Sequence, residues 1–223
     1  VNFIEAAHND TAACLIGFAP MSSAMEAAQD DGFREVLNGF DIVAMDGAGI
    51  VKKVKDGKFW HVERCGGPDA MAEIIRRTAY SKTKHFLYGT DETLRLLKEN
   101  LEREGATICG YMAPPYRTRE EWKKIGWADE KFYHTVRQSE PDYVWVSLGA
   151  PKQEYFCYAA KSALPGVKLM AVGAAFNYLS GKAQRAPIKW QQCGMEWLWR
   201  VLHEPSQFMR YCKSAFFGFF VKP

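Results

Sequence analysis

Residues 141–154 read Pro-Asp-Tyr-Val-Trp-Val-Ser-Leu-Gly-Ala-Pro-Lys-Gln-Glu. Asp142–Leu148 is a short run rich in Val and aromatics, the pattern of a strand. Gly149 permits a sharp turn, Pro151 stiffens it, and Lys152, Gln153 and Glu154 fall on the first turn of a helix. Outward from this unit the same rhythm recurs. Strands are expected at Ala12–Phe18, Asp41–Met45, Lys84–Tyr88, Ala106–Met112 and Lys168–Ala174, and helices at Ser22–Leu37, Pro68–Tyr80, Asp91–Glu104, Thr118–Gln138 and Lys152–Leu164. Pro68 suits a first helical turn, and Thr90 or Asp91 suits a cap. Strand and helix alternating in this way predict an α/β fold, a doubly wound, mostly parallel, Rossmann-like sheet. Lys53–Arg64 breaks the rhythm, and Asp56-Gly57 within it is expected to turn a hairpin.

Composition narrows the class. With 48% hydrophobic and 25% charged residues, the 223-residue chain is neither disordered nor a coiled coil. No apolar run, the six residues Phe216–Val221 included, approaches the roughly 20 residues a membrane span needs. No charged start leads into an apolar stretch and cleavage site, so a cytoplasmic location is expected. The six cysteines lie at least nineteen residues apart, which excludes a C-x-x-C motif and favours reduced, buried thiols. His61-Val62-Glu63 matches half of a zinc deaminase signature, but no P-C-x-x-C completes it. No D-x-D triplet occurs, and no metal site is expected.

In doubly wound sheets ligands bind beyond the carboxyl ends of the strands, so the residues just after each strand carry the functional reading. After the second comes Met45-Asp46-Gly47-Ala48-Gly49. It sets a carboxylate before a tight turn whose amides can approach phosphate; alternatively Asp46 caps the next helix. A dinucleotide fingerprint would need glycine where Lys52 stands, which weighs against an oxidoreductase. After the fifth, Lys152 and Gln153 lie at the positive end of a helix dipole, suited to phosphate and sugar hydroxyls, or Lys152 is simply solvated. After the sixth, Gly173, Ala174 and Phe176, with Arg185 further on, offer a small-residue turn, a face for a flat ring and a cation for phosphate; close helix–strand packing is the competing reading. Arg64, Gly67, Asp69 and Gly89 lie in two further clusters of the same kind. Ala113–Asp129 shows no identifiable chemistry.

The order of these motifs carries a resemblance. D-I-V-A-M-D-G-A-G-I, R-C-G-G-P-D, F-L-Y-G, P-D-Y-V-W-V-S-L-G-A-P-K-Q-E, V-G-A-A-F-N-Y-L-S-G-K-A-Q-R-A-P and G-M-E-W-L-W-R-V-L-H-E-P stand in the sequence in that order, from about Leu15 to the C-terminus. The chain thereby resembles the WecG/TagA/CpsF glycosyltransferases, glycosyltransferase family 26. The resemblance implies an inverting, metal-independent transferase that moves a hexose or N-acetylhexosamine-type sugar from a UDP-sugar to a polyprenyl-diphosphate-linked saccharide in cell-surface polysaccharide synthesis. No cofactor is implied beyond the donor. Asp46 matches the family's proposed general base. Expected substrate contacts are Gly47, Gly49, Arg64, Gly67, Asp69, Gly89, Gly149, Pro151, Lys152, Gln153, Glu154, Gly173, Ala174, Phe176 and Arg185. Two departures bear on the sugar. Phe18-Ala19-Pro20-Met21 replaces the family's usual asparagine or threonine after the first strand, and Gly66 takes the place of a threonine.

Residues 1–190 are expected to form the catalytic domain and 191–223 a helical, membrane-docking appendage. From Lys182 onward seven basic residues face two acidic ones, a net charge of +5 against −2 for the rest, and nine aromatics share the stretch. By resemblance, Arg200 and Arg210 reach the lipid diphosphate at the inner membrane face. A core-packing or oligomer-forming helix pair would use the same stripe. A nucleotide-binding domain without transferase activity remains the alternative, and a nucleic-acid binder lacks any supporting motif.

Overall fold

The computed structural model describes residues 14–57, 63–193 and 195–203. Six strands, β1 (Cys14–Ala19), β2 (Ile42–Met45), β3 (Lys84–Gly89), β4 (Thr107–Met112), β5 (Tyr143–Ser147) and β6 (Lys168–Ala171), form one parallel sheet in the order β2-β1-β6-β5-β3-β4. Eleven helices accompany them among the described residues: α1 (Met21–Gln29), α2 (Asp31–Asn38), α3 (Ala48–Gly57), α4 (Gly67–Thr78), α5 (Asp91–Arg103), α6 (Arg119–Lys124), α7 (Glu130–Ser139), α8 (Lys152–Ala160), α9 (Ala175–Leu179), α10 (Ile188–Gln192) and α11 (Glu196–His203). The architecture is the Rossmann-like α/β sheet that the alternation predicts.

The strands are apolar on both faces because helices cover both. Leu87, Trp145 and Met170 point to the layer holding α4, α5 and α9, while Phe86, Tyr88, Val144, Val146 and Leu169 point to the layer of α2, α7 and α8. Steps along the sheet in one direction (β1 to β2, β4 to β5, β5 to β6) use the second layer, and steps in the other (β2 to β3, β3 to β4) use the first. All crossovers therefore share one hand, as parallel sheets require. Register pairs Ala19 with Met45, Val146 with Ala171, and Ser147 with Gly89, which brings the carboxyl ends to one edge.

Local chemistry sets the helix boundaries. Pro68 sits in the first turn of α4, with Arg76 and Arg77 in the last. The helix expected over Ser22–Leu37 is two helices, because Asp30 adopts an extended conformation and its Oδ1 accepts from the Phe33 amide to start a new one. Thr118–Gln138 likewise divides: Gly126 and Trp127 have φ of 64° and 61°, and Asp129 caps α7. The expected hairpin is corrected more deeply. Lys53–Gly57 continues α3, so Asp56-Gly57 closes a helix rather than turning a strand, and residues 58–62 lie outside the described set.

Beneath β3 and β5 a polar chain runs through the core. Trp145 Nε1 donates to His85 Nδ1 (3.2 Å), which leaves the proton on Nε2 to meet Thr78 Oγ1 (3.0 Å), and that hydroxyl donates to Ile74 O (2.7 Å). Burial pushes the imidazole of His85 down to about 4.

Candidate active site

Two groups of residues occupy the carboxyl edge. The first is charged and stands at the end of β2. The Asp46 amide donates to Ala19 O (3.0 Å), which ties the start of the β2–α3 turn to β1, and Gly47 follows at a φ of 117° that side chains rarely adopt. Residues 63–66 return along the same end, with the Cys65 amide donating to Met45 O (3.0 Å). That return sets Arg64 Nη2 3.8 Å from Asp46 Oδ1 and 2.6 Å from Glu196 Oε2 of α11. Arg185 grips Asp69 through both of its terminal nitrogens, and this bond holds the Asp69 carboxyl below the usual carboxylate range. Gly66 keeps the acids close, since a Cβ there would lie 3.0 Å from Asp46 Oδ1 and 3.2 Å from Asp69 Oδ2. Burial, with Asp46 and Asp69 nearby, pushes the Cys65 thiol up.

The second group is built from backbone and stands at the ends of β5 and β6. Gly149 (φ 76°) leads through a cis Ala150–Pro151 bond into α8, and Gly173 (φ 58°) leads into α9. Because α8 packs on one face of the sheet and α9 on the other, the two turns diverge, the arrangement in which an open sheet makes its ligand crevice. Ser147 Oγ donates to Gly173 O (2.7 Å), and the buried Gln153 amide donates to Ala171 O (3.4 Å) and Glu154 Oε1 (3.0 Å). Gln153 Oε1 has no partner among the described residues. Lys152 reaches Arg117 O (3.4 Å) and stands 5.6 Å from the ring of Tyr116, which is 88% exposed.

Several expected contacts are placed differently. Phe176, expected to face a flat ring, is buried in the core, and Gly89 is its partner: a Cβ at Gly89 would come 2.9 Å from the phenyl ring. Gln153 and Glu154 are buried rather than presented to solvent. Arg185 is engaged by Asp69. Gly49 lies in α3 with Met21 as its neighbour. Arg200 falls on α11, and Arg210 lies outside the described residues. Of the tail's apolar residues, Trp190 and Trp199 meet edge to face at 5.6 Å, whereas Leu202 is largely exposed. Cys193 is exposed, unlike the buried Cys14 and Cys157.

Glu196 was not among the expected site residues. Its signal was present, an isolated acid in a strongly basic stretch, which is a candidate for pairing. Tyr116 and Arg117 in the loop after β4 were likewise unmarked. Among the described residues no three His, Cys, Asp or Glu side chains group as a metal site, and no helix is long and apolar enough to cross a membrane.

The family model for the WecG/TagA/CpsF glycosyl transferases matches residues 1–222, essentially the whole chain. The chain belongs to that family. It is accordingly a glycosyltransferase of cell-surface polysaccharide synthesis, a family whose chemistry implies a sugar donor and a lipid-linked acceptor. Against this family's usual pattern, the Phe18–Met21 departure falls where β1 passes into α1, and the Gly66 departure falls between the carboxylates of Asp46 and Asp69.

Proposed function

We propose that this chain is an inverting, metal-independent transferase that moves a hexose or N-acetylhexosamine-type sugar from a UDP-sugar to a polyprenyl-diphosphate-linked saccharide. The observation that carries the reading is the placement of Asp46 and Arg64 on the same sheet edge as the Gly149 and Gly173 turns, in a chain matched end to end by a glycosyltransferase family. UDP binds at those two turns, where backbone amides and the start of α8 receive the diphosphate. The acceptor hydroxyl attacks the anomeric carbon from the face opposite UDP. Its proton passes to the Asp46 carboxylate as the new C–O bond forms, and the old one breaks with its electron pair leaving on UDP. Arg64, between Asp46 and Glu196, fixes where that carboxylate stands.

An acceptor carried on a polyprenyl chain stays at the bilayer, so the enzyme works at the inner membrane surface. The net +5 charge from Lys182 onward, in which Lys182 and Arg185 already pair with Glu92 and Asp69, suits an anionic leaflet, where each basic residue near the surface contributes about 1 kcal/mol. The test is a panel of UDP-sugars with a polyprenyl-diphosphate-linked saccharide, read by mass spectrometry, with and without EDTA. Transfer from one UDP-sugar, unchanged by EDTA and with inverted anomeric configuration by NMR, is expected. A panel with no transfer overturns the activity, and a strong EDTA effect overturns the metal-free chemistry.

A further inference from the structure

The backbone at Gly66 does not require glycine. Its φ of −89° and ψ of 147° are open to any residue, and it is the N-cap of α4, where serine, threonine, aspartate or asparagine would accept a hydrogen bond from the first turn. Pro68 offers no amide there, so such a side chain would take the amide of Asp69. What glycine supplies is space. A Cβ would stand 3.0 Å from Asp46 Oδ1 and 3.2 Å from Asp69 Oδ2, tighter than most Cβ contacts, so two carboxylate oxygens converge over one buried residue. Neither acid is hidden: the side chain of Asp46 keeps 25% of its surface and that of Asp69 keeps 53%. Arg185 clamps Asp69 and keeps it ionised, and Arg64 stands between Asp46 and Glu196. Among these five side chains three carboxylates face two guanidiniums, a balance that suits O–H donors rather than phosphate.

We propose that Gly66 is a specificity-determining residue, which lets Asp46 and Asp69 act as a pincer on hydroxyls of two neighbouring carbons in the acceptor saccharide. The attacking hydroxyl stands on Asp46, and the hydroxyl beside it donates to Asp69. The inference rests on the acceptor and the base proposed above and adds the class of acceptor, a saccharide with a vicinal diol at the position that is glycosylated. Asp69 exchanges no proton; it fixes the ring so that the attacking oxygen faces the anomeric carbon. A neighbouring acetamido group would bring a carbonyl oxygen and a methyl group against two carboxylates, and a deoxy carbon would leave Asp69 without a donor. The diol meets both acids. A side chain at position 66 would part the pincer by a few tenths of an ångström. Serine or threonine there would also donate its own hydroxyl to one of the acids, in place of the acceptor's.

The experiment uses the full chain and the saccharide that accepts sugar in the panel above, carried on farnesyl diphosphate and remade as its set of monodeoxy analogues. Values of kcat/KM are measured for wild type, Gly66→Ala, Gly66→Ser and Asp69→Asn. Wild type is expected to prefer the parent saccharide at least tenfold over the analogue deoxygenated beside the attacked hydroxyl, the usual worth of a hydrogen bond to a charged group. In Gly66→Ala and Asp69→Asn that preference should shrink to about twofold or less, with the loss falling on the parent and the UDP Kd by calorimetry unchanged. Gly66→Ser, which can cap α4, should melt no lower than wild type by circular dichroism and still lose the preference, which separates the pincer from folding. An equal loss on parent and analogue, the result of a packing role alone, overturns the inference. So does a flat preference in wild type, or one set by a hydroxyl that is not adjacent. The two proposals fail separately: transfer with a flat preference sinks the pincer and leaves the transferase standing, while a panel with no transfer at all removes the transferase and the pincer with it.

Discussion

The end of β2 and the ends of β5 and β6 lie on one edge of one sheet, yet they are built by opposite means. At β2 the positions are held by side-chain charge: Arg64 stands between Asp46 and Glu196, and Arg185 is clamped on Asp69. At β5 and β6 they are held by backbone shape, with glycines at φ of 76° and 58° and hydrogen bonds from Ser147 and Gln153 to main-chain oxygens. Charge held by ion pairs is suited to receiving a proton at a defined point. Shape held by glycine is suited to bringing backbone close to a diphosphate. The division of labour we propose, chemistry at one end and donor binding at the other, can therefore be attacked from either side.

The sharpest break is Asp46→Asn, which removes the proposed base and keeps the shape. Turnover should fall by ~10²–10⁴-fold with UDP affinity nearly unchanged, in steady-state kinetics beside calorimetry. Near wild-type turnover would move the base elsewhere. The reciprocal change is Gly149→Val. A Cβ at Gly149 meets nothing within 4 Å, so the cost is conformational, roughly 1–2 kcal/mol for a branched residue at positive φ. UDP binding should weaken about tenfold, since 1.4 kcal/mol is a factor of ten. A pure turnover loss would erase the distinction between the two regions. Smaller still is Glu196→Gln, which loosens Arg64 without touching Asp46 directly. We expect a several-fold fall in turnover with UDP affinity unmoved, and no change would reduce the Arg64–Glu196 bond to a surface contact.

The last comparison vanishes at neutral pH and grows in acid. His85 supports β3 and β5, and its imidazole lies at about 4 rather than the ordinary 6.5 because burial disfavours the charge. The unfolded chain thus binds the extra proton first, so this stability is fully present above pH 6.5 and is lost progressively as pH falls to about 4, amounting to about 3 kcal/mol. Asp69 is depressed below 3.8 by Arg185, so its contribution is present above 3.8 and fades only below it. Urea midpoints measured from pH 7 to 4 should fall in wild type and stay flatter in His85→Gln. Parallel curves would show that the buried imidazole is already charged or that the core opens to water.

Much of this was legible in the sequence, and the failures have causes. All six strands sit where the apolar runs place them, because strands covered on both faces must be apolar throughout, as Tyr143–Val146 is. The split helices were not read because Asp30 and Asp129 act as caps in the middle of amphipathic stretches. Asp56-Gly57 carries the local signature of a hairpin turn, yet a glycine after a lysine-rich helical turn is equally a helix end, as it is in α3. The two glycine turns stand at the strand ends as expected, since glycine followed by a helix start is a local pattern. The ion pairs could not be read, because Arg64 and Glu196 lie 132 residues apart and only the fold brings them together.

One contact spans the two regions. A Cβ at Gly67, where α4 begins beside the charged group, would lie 2.7 Å from the carbonyl oxygen of Val172, the residue before the Gly173 turn. Nothing compressible separates these backbones. In a toolmaker's terms, both jaws are referenced to one hard stop, so the gap between the two regions is set at this point by main-chain thickness rather than by side chains that can change rotamer. A chain built this way can exchange the residues beside its charged group, as at Gly66 and Phe18–Met21, without losing the dimension on which the proposed in-line displacement depends.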